Sequence, residues 1–281
     1  MDAKLKDSVE YRAYMIRRHI VETCARRGDG HAGPSLSCAD IVATLYFAVM
    51  NFDPKNYKDP DRDRFLLSAG HKCLALYGAF VELGLLDKAV LDETYNALGT
   101  IVPGHPDAKK IPAIEFSTGS LGHGLPLACG IALGAKKLGK SFKTFVLMGD
   151  GEQGEGSVWE AASFAAAKGL DNIVAIVDNN GLQINGTNDE VCCPTPIGER
   201  YRAFGWSVVE VNGHDVAELY HALTNCPVKA GKPTLIVAKD IKGKGISFME
   251  NNIKYHHWNP GKEEGDRAIA ELDEYGKRWQ A

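Results

Sequence analysis

The 281-residue sequence has no surplus of basic side chains: 32 Lys and Arg stand against 36 Asp and Glu, a net charge of −4. Without that surplus, no broad surface for a nucleic-acid phosphate backbone can be assembled. Long apolar runs are also missing. The longest, Ile41 to Met50, is broken at Thr44 and falls well short of the roughly 20 residues that a membrane helix needs. The opening Met1-Asp2-Ala3-Lys4-Leu5-Lys6-Asp7 has no apolar core of a secretory leader, so the expectation is a cytoplasmic protein with neither nucleic acid nor membrane as partner. The seven cysteines are odd in number, scattered, and without a C-x-x-C pair. That pattern excludes a disulfide framework and a thiolate zinc site. The adjacent Cys192-Cys193 reads as two reduced thiols in a loop before Pro194, because neighbouring cysteines bridge only under strain.

What the chain has in excess is glycine: 30 residues, about 11% against an average near 7%. They cluster at Gly119, Gly122 and Gly124, at Gly149 to Gly156, at Gly181 and Gly186, and at Gly243 and Gly245. Three of these clusters lie at or just after apolar strand-like runs, where an α/β sheet presents backbone to a ligand. With 44% hydrophobic and 24% charged residues, the chain has the composition and length of one large α/β domain.

Apolar periodicity predicts a helix over 8–27, a Gly/Pro loop over 28–34, and a helix over 38–50 opened by a Ser37/Asp40 capping signal. A loop over 51–63, a strand over 65–68 and a helix over 71–83 follow. Residues 123–138 form a helix dense in small side chains, read as tight core packing. Strands over 144–148 and 172–177 flank a helix over 156–168, a right-handed βαβ unit with parallel strands. Strands over 206–211 and 234–238 enclose a helix over 215–225, and 263–279 is a charged, exposed helix. The fold class is therefore α/β: one doubly wound domain over 1–281, with a mostly parallel sheet and helices on both faces.

Gly149-Asp150-Gly151 ends one strand of the βαβ unit and Asn179-Asn180 ends the other. A carboxylate and an amide oxygen on neighbouring strand ends are hard ligands for Mg²⁺ or Ca²⁺, and the flanking glycines let a diphosphate reach backbone N–H groups. Asp-Gly and Asn-Gly are turn formers, so either alone reads as a plain turn. Together, at the right ends of one unit, they read as a site. Four histidines lie beside Gly or Pro in loops. A group titrating near pH 6.5 can both give and take protons there. His19, His214 and His221 read as structural, and His123 as a helix-end residue.

Gly149-Asp150-Gly151, followed after 27 residues by Asn179-Asn180, resembles the thiamine diphosphate signature. Ser68-Ala69-Gly70-His71, Pro103-Gly104-His105-Pro106, Thr118-Gly119-Ser120-Leu121-Gly122 and Lys242-Gly243-Lys244-Gly245 resemble transketolase segments in the same order, from about Ala13 to Pro260. The resemblance covers the cofactor-diphosphate half of a transketolase. It implies the thiamine diphosphate-binding subunit of a split enzyme that moves a two-carbon ketol unit from a ketose, expected to be phosphorylated, to an aldose. It further implies a partner subunit carrying the pyrimidine-binding domain, in a heterotetramer. By the same resemblance, Asp150, Asn180 and the main-chain oxygen of Leu182 would bind the metal, and Gly151 and His71 the diphosphate. Gly119, Leu121 and Ile184 would line the thiamine, and Glu155 would lie at the interface with the pyrimidine domain. His31 and His105 would face substrate. A further family histidine is His256 counted from Gly245 and His257 counted back from Pro260. Trp258 stands where the family usually has Gly, which is expected to alter the mouth of the site. The glutamate that contacts the aminopyrimidine has no counterpart in this sequence. Other readings are a 1-deoxyxylulose-5-phosphate synthase-like or 2-oxo acid dehydrogenase-like subunit, or a non-catalytic cofactor-binding fragment. Retention of His31, His71 and His105 together argues against the last.

Overall fold

The computed structural model describes residues 1–191 and 196–279. Its centre is a five-stranded sheet of β1 (Arg64–Leu67), β2 (Thr144–Gly149), β3 (Ile173–Asn179), β4 (Ser207–Asn212) and β5 (Thr234–Lys239), in the order β1-β2-β3-β5-β4. Every neighbouring pair is parallel. The three middle strands are buried along nearly their whole length, as expected of strands covered on both faces.

Successive side chains of a strand point to opposite faces, so the sheet divides its apolar residues between two cores. Phe145, Leu147, Val174, Ile176 and Ile236 enter one core. Val146, Met148, Ala175, Val177 and Leu235 enter the other. The first core is covered by α1 (Ala3–Arg27), α2 (Ala32–Ser37), α3 (Ala39–Thr44), α4 (Cys73–Glu82) and α5 (Lys88–Thr94), together with two later helices, α10 (Val216–Thr224) and α11 (Lys262–Gly276). The second is covered by α6 (Gly124–Lys137), α7 (Gly156–Ala167) and, past the short α8 (Asn188–Val191), by α9 (Ile197–Ala203). Helices therefore lie on both faces of the sheet.

α1 starts where the Asp2 carboxylate accepts the Leu5 N–H at 2.8 Å, and stops where Gly28 turns left-handed at φ 65°. Four local expectations are corrected. The Gly28–Pro34 segment is not loop throughout, because α2 begins at Ala32; Pro34 sits in the first turn, where its missing N–H costs no helical hydrogen bond. The predicted helix over 38–50 breaks into α3 and a wider π-type turn, Leu45–Val49. Its capping signal is absent: the Ser37 hydroxyl donates to Asp178 at 2.5 Å, and Asp40 pairs with Arg17. α11 is not simply exposed, since Ala268 and Leu272 are buried and the helix packs along α1. In α6 the small residues divide. Ala128 and Ala132 are buried in the core, but Cβ atoms built on Gly130 and Gly134 meet nothing within 4 Å, so those two positions open outward. Helix α5 was not signalled by the sequence pattern, and Cys192-Cys193 lies outside the described residues. Among the described residues no helix is long and apolar enough to cross a membrane.

Candidate functional site

The carboxyl ends of β1, β2, β3 and β5 open into one cavity of about 430 Å³, the position at which open parallel sheets bind ligands. Thirteen residues were singled out in the sequence as site residues; all but His257 line this cavity. Parallel pairing sets Gly149 opposite Asp178, so Asp150 and Asn180, one and two residues further on, leave neighbouring strands at the same end and both line the cavity.

The Asp150 carboxylate accepts the Gly151 N–H at 2.8 Å through one oxygen and the Gly181 N–H at 2.5 Å through the other. Gly181 has φ 80°, which lets the chain turn back over Asp150. Burial first, then the neighbouring Asp178 carboxylate, push the Asp150 carboxyl up from its ordinary value. A cation in front of it would reverse both effects. The Asn180 amide donates to Asp178 Oδ1 at 3.2 Å and to Ser37 at 3.3 Å, while its Oδ1 accepts the Leu182 N–H at 3.2 Å. Its oxygen is thereby turned toward the Leu182 segment. Among the described residues no three His, Cys, Asp or Glu side chains gather as a metal cluster. The candidate set is of another kind: one carboxylate, one amide oxygen and one carbonyl. It suits a hard cation that completes its shell with ligand oxygens.

Two lysines reach this end of the cavity. Lys72 is buried and ion-paired with Asp178. Burial, the largest single influence, pulls its pKa down, but the Asp178 charge, the neighbouring Cys38 and the hydrogen bond to Asp178 together outweigh it and hold it above its ordinary value. Lys242 is different. It is 1% exposed, and its ammonium donates to the Leu182 carbonyl at 2.8 Å and lies 2.9 Å from His256 Nδ1. Among the described residues it pairs with no carboxylate. Burial, then the charge of Lys72, bring it down to about 8. A buried cation without a counterion, aimed into a cavity lined by glycine backbone, is a receptor for an anion. The sequence motif contains Lys242 but assigns it no role. Its position directly after a strand, between the β5 end and a glycine, was the available signal. Gln183 was also missed: a Cβ on Gly151 would lie 2.9 Å from its side chain, which therefore covers the glycine.

The remaining wall is imidazole. His31 lies with its ring centroid 5.5 Å from His71, 6.0 Å from His105, 5.7 Å from His256 and 4.6 Å from His257. His256 also stacks on His71 at 5.2 Å. Burial is the main cause that lowers these groups, followed for His31 and His256 by neighbouring cations and imidazoles. His31 falls to about 4 and His256 to about 3. His71 falls well below its ordinary value, and His105 is lowered by burial alone. All four are therefore neutral at pH 7, able to donate from one nitrogen and accept at the other. His256 is the deeper of the two adjacent histidines, beside Lys242 and His71, and His257 is on the rim. Trp258 does not reach the mouth. It is 2% exposed, its N–H donates to the Gly30 carbonyl at 2.7 Å, and its indole donates to Glu264 at 2.8 Å.

Gly119 lies against His105, with a built Cβ 3.4 Å from the ring. Glu155 is exposed at the cavity edge, and Ile184 is 63% exposed. His19, paired with Glu82 at 2.9 Å, and His214, paired with Asp40 at 2.8 Å, lie away from the cavity. His123 precedes α6 and meets the Leu121 carbonyl at 2.9 Å.

Residues 9–275 match the family described as transketolase, thiamine diphosphate binding domain. An apulose-4-phosphate transketolase subunit of Phocaeicola vulgatus is 40% identical over 268 residues, covering 95% of both chains. A 6-deoxy-6-sulfo-D-fructose transketolase subunit of Clostridium sp. is 38% identical, covering 95% of this chain and 97% of its own. Among solved structures, a transketolase from Leishmania mexicana superposes with a TM-score of 0.87 at 29% identity. It covers 94% of this chain, which spans 41% of that longer one.

Proposed function

The chain belongs to the transketolase family as its N-terminal, thiamine diphosphate-binding subunit, and we propose that it transfers a two-carbon ketol unit from a ketose to an aldose once joined by a second polypeptide. The observation that carries this reading is the meeting of three features in one cavity: the Asp150/Asn180 pair, the counterion-free Lys242 and the neutral imidazoles. The first two accept a metal-bound diphosphate. The third serves oxyanions and protons.

In this reading Asp150, Asn180 and the Leu182 carbonyl would hold Mg²⁺ (or Ca²⁺), with the Lys242 ammonium turning from that carbonyl to the diphosphate. Lys242, His71 and the Gly151 N–H, released from Asp150, would take the diphosphate oxygens. Gly119, Leu121 and Ile184 lie along the thiamine. When bound, thiamine diphosphate supplies the electron sink for cleaving a carbon–carbon bond beside a carbonyl. His31 and His105 face the substrate and hold or move protons on its hydroxyl oxygens, with His256 at the diphosphate side and His257 at the rim. The names of the two relatives print a phosphate and a sulfo group, so the donor is proposed to be a ketose with an anionic end. The cytoplasm, where sugar phosphates are made and consumed, is the proposed location.

The partner subunit is proposed to carry the pyrimidine-binding domain and its glutamate. It would cover Glu155, Gly156 and the outward face of α6, where Gly130 and Gly134 leave room for close backbone approach. Two copies of each chain then make a heterotetramer about a two-fold axis. The test is ketol transfer from fructose 6-phosphate by the purified chain, titrated with the candidate partner in the presence of thiamine diphosphate and Mg²⁺. Activity that rises to a plateau at one partner per chain supports the reading. Full activity without partner overturns the split-enzyme assignment. Thiamine diphosphate binding with no transfer in any combination leaves a non-catalytic cofactor-binding fragment.

A further inference from the structure

Asp29 stands at the rim between two glycines. Gly28, at φ 65°, closes α1 by donating to the Cys24 carbonyl at 2.8 Å. Gly30 has φ 155° and no space for a side chain, since a Cβ would lie 2.4 Å from Cys24 Sγ and 3.1 Å from Leu74. The carboxylate between them is thus delivered to a fixed point. One oxygen lies 3.0 Å from His257 Nε2, and the other accepts the Asn96 amide at 2.7 Å. Asn96, itself at φ 53°, accepts the Gly104 N–H at 3.2 Å with its own oxygen, directly before His105. On the third side, the Asn259 amide donates to the Gly28 carbonyl at 3.1 Å and reaches Asp29 Oδ1 at 3.5 Å. This leaves the Asn259 oxygen facing His257 Nδ1 at 3.1 Å. The network fixes that orientation, because the flipped amide would set its oxygen against the Gly28 carbonyl oxygen. Both ring nitrogens of His257 therefore face oxygen acceptors.

The geometry points to Asp29 as a positioning residue that acts on the substrate-facing histidines through His257. One carboxylate ties together the three loops that carry His31, His105 and His257. The His257 ring meets His31 edge-on at 82° and is its nearest aromatic neighbour. The proposal rests on the reading of this cavity as a ketol-transfer site. The Asp29–His257 pair is well exposed, with side chains 30% and 42% accessible. Exposed ion pairs contribute little to stability, so its consequence is orientation.

The complex with the partner subunit is assayed with fructose 6-phosphate as donor. Asp29→Ala is expected to lower kcat by about 10- to 100-fold, the scale of a misplaced catalytic group. The thiamine diphosphate Kd should stay within about twofold and Tm within about 2 °C. Asp29→Asn, which keeps the volume and one acceptor oxygen, should recover part of the loss. Adding Asp29→Ala to His257→Ala should cost nothing further. Independent, multiplying losses in that pair would overturn the proposal, as would wild-type kcat in Asp29→Ala or parallel falls in kcat, cofactor affinity and Tm. If the wild-type complex itself transfers no ketol unit, the reading of the site fails separately. The positioning role is then decided on the ¹⁵N-histidine-labelled chain: loss of the hydrogen-bonded Nε2 signal of His257 with a shifted His31 ring in Asp29→Ala supports it, and unchanged ring signals refute it.

Discussion

Replacing Asp40 by Asn should destabilise the fold by a predictable amount and with a predictable pH dependence. Asp40 is buried on α3. It pairs in two-pronged fashion with Arg17 of α1, at 3.0 and 2.5 Å, and meets His214 Nδ1 at 2.8 Å. His214 Nε2 lies 2.8 Å from the Ile241 N–H, which can only donate, so Nδ1 carries the ring proton and donates to Asp40. Arg17 Nε also reaches the Lys244 carbonyl at 3.3 Å, so the same cluster steadies the loop that presents Lys242. Burial raises the Asp40 pKa, but the Arg17 charge and the His214 and Arg17 hydrogen bonds outweigh it and bring it to about 2 from 3.8. A depression of nearly two units corresponds to about 2.4 kcal/mol of stability. Removing one partner of a buried pair costs about 3–5 kcal/mol, because the orphaned Arg17 cation stays buried. At about 0.6 kcal/mol per degree for a chain of this length, Tm should fall by about 4–8 °C at pH 7. The sign of the pH dependence follows from a lowered folded-state value. The contribution is complete above the unfolded value of 3.8 and is lost as pH falls through 2, with about half left at pH 3. Calorimetric Tm values of wild type and Asp40→Asn from pH 7 to pH 3 test this. A difference below about 2 °C at pH 7, or one that widens on acidification, would refute the reasoning.

Asp150→Ala should abolish Mg²⁺-dependent thiamine diphosphate binding in the assembled complex while leaving the circular dichroism spectrum unchanged, because Asp150 is the one carboxylate in the candidate metal set; calorimetry that finds unchanged affinity rejects it as a ligand. His31→Ala and His105→Ala should lower kcat by about 10²- to 10⁴-fold with little change in cofactor affinity, and near-wild-type turnover in either removes that residue from the mechanism. His71→Ala should instead weaken thiamine diphosphate binding first, measured by the same titration. Gly124→Ala should lower Tm by several degrees, because its Cβ would fall 2.3 Å from Ser68 Cβ and 2.4 Å from the Ser68 hydroxyl that serves Glu152; a Tm equal to wild type would show that this contact relaxes freely.

The central strands were legible because a strand buried on both faces is written as a continuous apolar run, and Phe145 to Met148 and Ile173 to Val177 are such runs. The meeting of Asp150, Asn180 and the flanking glycines in one corner of the cavity was legible because all of them fall at strand ends, and parallel pairing brings those ends together. What was hidden depended on contacts between distant segments. Gly33 and Pro34 look like helix breakers, yet Gly33 is required where a Cβ would lie 2.5 Å from the Tyr255 carbonyl oxygen. Ser37 and Asp40 have the spacing of a cap, and only the folded chain shows that Asp178 and Arg17 claim them. Lys242 stood in the sequence only as part of a lysine- and glycine-rich motif, with no role assigned to it. Its place after β5 and before a glycine put it at the sheet's ligand end, but its burial follows from the packing of that loop over the β3 end.

The charge states of the cavity would change when an anion binds. His105 is kept neutral by burial alone, and His31, His71 and His256 by burial and by the cations and imidazoles around them, so none of them repels an incoming metal ion. Lys242 is held at about 8 for the same reason. An anionic group placed beside these residues changes the balance for all of them at once. It stabilises the ammonium of Lys242, and it raises the pKa of each imidazole it approaches. His71 and His256, next to Lys242, should rise most, and His105, on the open side, least. Binding of a diphosphate beside Lys242 would therefore move the histidines nearest to it back toward the range in which imidazole exchanges protons near neutral pH. On the proposed reading, these groups would stay neutral acceptors and donors until the anion is in place.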